Sequence, residues 1–89
     1  MHSSKIEKVI EQKNLFINLA LQLDRNKRLL LTPKIDVMYL KIDLYCNTGD
    51  EAVLDALYYF MTDVNSSIRQ ELVYNELRAK ISTLCKIAE

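Results

Sequence analysis

Few residues in this chain could do chemistry. The only histidine is His2, at the start of the sequence, and a terminal imidazole is read as incidental rather than catalytic. Cys46 and Cys85 are the only cysteines, and with one distant histidine they do not match the spacing of a zinc site. Two thiols among apolar helical residues, with no secretory signal ahead of them, are read as reduced and buried in a cytosolic setting, with one disulfide between them as the alternative. Neighbouring carboxylates occur at Glu7 and Glu11 and at Asp50 and Glu51. Acid–base work needs two such groups in environments that separate their pKa values. Here they sit where acidic groups complement the start of a helix, which is the reading adopted. A single glycine, Gly49, excludes a glycine-rich phosphate loop. No enzyme activity, metal or cofactor is expected.

Binding is better provided for. Arg25, Lys27 and Arg28, with Lys34 nearby, form a basic cluster that could meet phosphates or an anionic surface. The chain as a whole carries no net charge, with 12 basic and 12 acidic residues, so nucleic acid is not an expected partner. Five tyrosines, at 39, 45, 58, 59 and 74, could supply an aromatic recognition patch. Helical spacing places Tyr58 and Tyr59 on different faces, so at least one is expected in the core. The candidate partner-binding residues are Arg25, Lys27, Arg28, Tyr59, Asp63 and Asn65.

The elements that must position these groups are helical. Of the 89 residues, 49% are hydrophobic and 27% charged, with one Gly and one Pro: too apolar for disorder and too poor in turn formers for a β fold. One domain spanning residues 1–89 is expected, since two cores would not fit. Every apolar run is interrupted by polar or charged residues, so none is expected to cross a bilayer.

Ser4 and Glu7 have capping-box spacing, and Ile6, Val9, Ile10, Phe16, Ile17, Ala20 and Leu23 then form a stripe, predicting a helix over 4–24. Thr32-Pro33 starts the next, over 33–47, ending at Asn47-Thr48-Gly49. Within it, "IDVMYLKIDLY" also suits an alternating strand, but Leu and Met, with Thr-Pro before and Gly after, favour the helix. Asp50 caps a short, apolar third helix over 51–62. The polar run 62–66 then reads as a connection, and Ser67 with Gln70 as a capping box opening a last helix over 67–88. The fold class is therefore all-α, an antiparallel up-down-up-down four-helix bundle. Leu57 and Leu77 are placed in its core.

Charge is uneven along this layout. Residues 1–45 carry eight Lys/Arg against five Asp/Glu, a net of +3, and residues 46–89 carry four against seven, a net of −3. Such halves attract each other in an antiparallel bundle.

From about Val37 to Ala88 the chain resembles the immunity proteins of pediocin-like bacteriocins. The run "VMYLKIDLYCNTGDEAVLDALYYFM" is similar to that family's second helix, loop and apolar third helix, and "NELRAKISTLCKIA" to its last amphipathic helix. The resemblance implies a non-catalytic cytosolic protein that protects its cell from one bacteriocin. Protection would come from acting, at the inner face of the membrane, on a receptor of the mannose phosphotransferase transporter type. It carries over no individual site residue. Family specificity is associated with the C-terminal half, which directs attention to the third and fourth helices and the 63–67 connection. The rival class is a small phage- or plasmid-encoded helical adaptor or regulator that binds a protein or nucleic acid.

Overall fold

The computed structural model describes residues 3–88, and side chains for residues 4–86. The expectation for His2 lies outside the described residues. The described chain is all-α, with four helices: α1 (Ser3–Leu21), α2 (Arg25–Leu30), α3 (Thr32–Thr48) and α4 (Glu51–Ala88). It is a small helical bundle, but two boundaries differ from the sequence reading.

The first difference is α2, where a plain connection was expected. Asp24 has extended backbone angles, and its carboxylate accepts the backbone N–H of Lys27 at 2.9 Å, the bond of a helix N-cap. An Asp placed three residues before Lys27 was the available signal. α3 follows directly, with Leu31 at the junction and Pro33 in the first turn of the helix, where its missing N–H costs nothing.

α3 ends as expected. Gly49 is left-handed at φ 66° and ψ 13°, and its N–H donates to the Tyr45 carbonyl at 2.7 Å. The Asp50 carboxylate then accepts the N–H of Ala52 at 2.9 Å, starting α4. A Cβ on residue 49 would meet nothing within 4 Å, so a substitution there tests conformation without a clash. Gly49→Ala is expected to lower stability by about 1 kcal/mol, read as a shift in the urea midpoint.

The second difference is larger. The polar run 62–66 is not a connection, and α4 continues through it for 38 residues. Leu54, Leu57, Met61, Val64 and Ile68 are all buried and spaced three and four apart, so one core stripe runs through the supposed break. The polar side chains do not compete with the helix. Thr62 and Ser67 hydroxyls donate to carbonyls four residues back, those of Tyr58 and Asp63, at 2.9 and 3.2 Å. Ser67 is thus an interior helical residue and caps nothing. Ser4 likewise lies inside α1, which begins at Ser3.

Both α1 and α3 pack on α4 more than on each other, and α2 packs on α3. Lys5 lies beside Glu51 and Asp55, and Gln12 beside Asn65, so α1 runs parallel to α4. α3 runs the opposite way, which gives an up-down-up order for the three long helices. Val9, Phe16 and Leu19 of α1, with Leu23, Leu31 and Met38, close the core against α4. At 1.5 Å per residue α4 is about 57 Å long, and it sets the 62 Å long axis of a molecule only 25 by 15 Å across. The expected fourth helix therefore does not fold back: it extends α4 beyond the core.

Candidate functional site

The extension of α4 is the most distinctive surface. After the half-buried Leu72, the apolar residues Val73, Tyr74, Leu77, Ile81 and Leu84 are all exposed. Leu77 is 54% exposed, so its placement in the core is corrected. The reason is helical phase. At 100° per residue, the 74–84 stripe faces about half a turn away from the 54–68 stripe. A continuous helix cannot bring both onto the same core. The change of phase also made one helix look like two.

The candidate partner-binding residues separate into two groups. Arg25 and Arg28 are exposed on α2. Lys27 instead turns inward: its ammonium pairs with Glu71 and donates to Asn75 Oδ1 at 3.4 Å, tying α2 to α4. The basic cluster is therefore partly a structural tether. Tyr59 is 70% exposed and Asp63 is also exposed, whereas Tyr58 is partly buried with its ring edge-on to Tyr59 at 5.6 Å.

Asn65 does not belong among surface partner residues. It is 3% exposed, and its amide Nδ2 donates to the Gln12 carbonyl at 3.0 Å and to Gln12 Oε1 at 2.8 Å. Among the described residues none donates to its Oδ1. Its role is to hold α1 against α4. A buried Asn was missed because its neighbours, Asp63 and Ser66, made the segment look like a loop.

The cysteines also differ from expectation, since Cys46 and Cys85 are both exposed free thiols. Cys46 stands at a groove of about 230 Å³ between α1 and α3, lined by Ile6, Ile10, Ile42 and Tyr45 and floored by Leu54 and Leu57. Both thiols are expected to react with a thiol reagent in the native protein. Protection of Cys46 until denaturant is added would contradict this arrangement.

Electrostatics add little that resembles a reaction centre. The Lys5 ammonium sits 3.1 Å from Glu51 and 3.3 Å from Asp55. The hydrogen bond that Lys5 donates to Glu51 first, then the one it donates to Asp55, raises the Lys5 pKa above its ordinary value. The sign follows: this pairing stabilises the fold below the ordinary lysine pKa and is lost as pH rises through the raised one. Both partners are largely exposed, so it acts as a surface ion pair screened by water. Among the described residues no three His, Cys, Asp or Glu side chains gather as metal ligands, and no helix is long and apolar enough to cross a membrane.

Arg78 stacks its guanidinium over the Tyr74 ring, 5.7 Å from the centroid, on the exposed part of α4. The exposed stripe is flanked by Arg78 and by Lys80, which lies 3.7 Å from Glu76, so the extension of α4 presents an amphipathic face to solvent. Comparison with family models, with curated proteins and with solved structures returns no match to this chain.

Proposed function

We propose that this protein works by binding rather than catalysis, as an immunity protein of the pediocin-like bacteriocin type. The observation that carries the proposal is the exposed stripe Tyr74, Leu77, Ile81 and Leu84 on the half of α4 where the sequence resembles the last helix of that family. An apolar helix face without an intrachain partner is suited to a protein surface. In this reading the protein sits on the cytosolic side, meets the transporter-type receptor together with the bacteriocin, and needs no cofactor.

The test is protection. Expression in a bacteriocin-sensitive strain is expected to raise survival against one pediocin-like peptide, and Leu77→Glu with Ile81→Glu is expected to abolish that protection. Unchanged sensitivity across a broad panel of such peptides would overturn the proposal. A helical adaptor or regulator is the second reading, favoured by the exposed Arg25 and Arg28. It would leave sensitivity unchanged while retaining a stable partner. A nucleic-acid partner would show steep salt dependence that weakens in Arg25→Ala and Arg28→Ala.

A further inference from the structure

The outer face of α4 is regular along its whole length, not only beyond the core. Ala52, Ala56, Tyr59, Asp63, Ser66 and Gln70 fall on the line that continues through Tyr74, Leu77, Ile81 and Leu84, spaced three or four apart. All ten are solvent-exposed. Apart from Tyr59, the line is small or polar in its first half, and it is bulky and apolar in its second. Laid antiparallel against a copy of itself, each half meets the other.

We propose that α4 pairs with α4 of a second copy of this chain in an antiparallel dimer through this outer face. With the two-fold axis near residue 68, Leu77 packs opposite the partner's Tyr59, Ile81 opposite the partner's Ala56, and Leu84 opposite the partner's Ala52. Gln70 and the partner's Ser66 flank the axis. Large side chains thus face small ones at Ala52 and Ala56, as interdigitated helices require.

Charge selects the same orientation. The first part of α4 holds Asp55 and Asp63 with no basic residue between them, and the extension holds Arg78 and Lys80, with Lys80 3.7 Å from Glu76 one turn back and open to a second carboxylate. Antiparallel pairing brings Lys80 beside the partner's Asp55 on the same flank of the seam. Parallel pairing would instead place acidic residues beside acidic and basic beside basic.

The size fits as well. Four positions in seven along a 38-residue helix give roughly 22 residues per side, within the ~20–30 of a stable interface. The groove between α1 and α3 is a poorer seat for the extension. It opens on the core side of α4, opposite to the exposed stripe, so aligned helices cannot fill both grooves by two-fold symmetry.

Sedimentation equilibrium of the full chain is expected to show a monomer–dimer equilibrium in the micromolar range. Leu77→Glu with Ile81→Glu should give a monomer with unchanged helical circular dichroism. Lys80→Glu should weaken dimerisation about two- to fivefold for each pair, and adding Asp55→Lys should restore it. A spin label at Lys86→Cys, in a Cys46→Ser and Cys85→Ser background, should give a separation of about 55 Å between copies. Separation of about 25 Å, two outward-facing labels across one helix pair, would mean parallel helices and overturn the proposal, as would a wild-type chain that stays monomeric. Partition of such a monomer onto phosphatidylglycerol vesicles through Leu77 and Ile81 would assign the face to a membrane instead. Dimer and receptor would use the same Leu77 and Ile81 stripe, whereas Lys80→Glu and its Asp55→Lys rescue act on the dimer alone, so sedimentation of those variants and survival in the protection assay can fail separately.

Discussion

Leu57→Ala and Met61→Ala are each expected to lower the unfolding free energy by about 2–5 kcal/mol, because both truncations leave a cavity that the surrounding helices cannot close. Leu57 is 2% exposed and Met61 is 1% exposed, the two most deeply enclosed large side chains among the described residues. They lie on the stretch of α4 that α1 and α3 both cover. Both belong to the one buried cluster that joins Val9, Phe16 and Leu19 of α1 and Met38 of α3 to α4. A domain of this length has a total stability of about 4–13 kcal/mol, so either variant approaches the limit of folding. Urea denaturation measures the effect directly. The informative control is Leu77→Ala, made at a concentration where the chain is monomeric. It is expected to stay within about 0.5 kcal/mol of wild type. Equal losses at 57 and 77 would mean that the extension of α4 folds back onto the core.

That contrast marks how far the fold can be read from the sequence. The signals acting over four or five residues were legible: Pro33 opening α3, Gly49 closing it and Asp50 starting α4 all do what their side-chain chemistry requires. The helical character of each stretch was legible from its apolar spacing. Composition misled at residues 62–66, where Thr, Asp, Asn and Ser suggested a loop. Val64 and Ile68 keep the core spacing through that run, while Thr62 and Ser67 bond carbonyls of the helix itself and the Asn65 amide nitrogen bonds Gln12. Spacing should have outweighed composition there.

Exposure was the least legible property. A stripe on an amphipathic helix says which side is apolar, not what covers it, and the same pattern that buries Leu57 leaves Leu77 in solvent. The deciding quantity is the phase between successive stripes on one continuous helix, which can be measured only once continuity is known. Cys46 and Cys85 were misplaced for the same reason. They lie among apolar neighbours, but Cys46 stands at the open groove between α1 and α3 and Cys85 on the exposed extension of α4. Lys27 shows the converse. Its partners Glu71 and Asn75 are more than 40 residues away, so nothing local distinguishes it from the exposed Arg25 and Arg28.

Asn65→Asp is expected to cost about 3–5 kcal/mol at neutral pH, the loss produced by an uncompensated buried charge, although the two side chains have nearly the same shape. Asn65 donates from one amide nitrogen to two oxygens of Gln12, its peptide carbonyl and its side-chain Oε1. An aspartate has no proton to give and would set a negative charge against both acceptors in a site closed to water. Burial and those oxygens would raise its folded pKa above the usual ~3.9. The sign is then fixed. Between the unfolded and folded pKa values the folded variant holds a proton that the unfolded chain has lost, so stability falls as pH rises through that window. The variant should be most stable in mild acid, where a protonated carboxyl can donate to one Gln12 oxygen. Asn65→Leu removes the donor without adding charge, leaving the Gln12 oxygens unpaired at a cost of about 1–3 kcal/mol. Relative to wild type, that loss should not vary with pH. Urea midpoints for the two variants at pH 4 and pH 7 therefore separate charge from lost hydrogen bonding. A flat difference between Asn65→Asp and wild type across that range would show that residue 65 is open to water, and that α1 does not seal against the middle of α4.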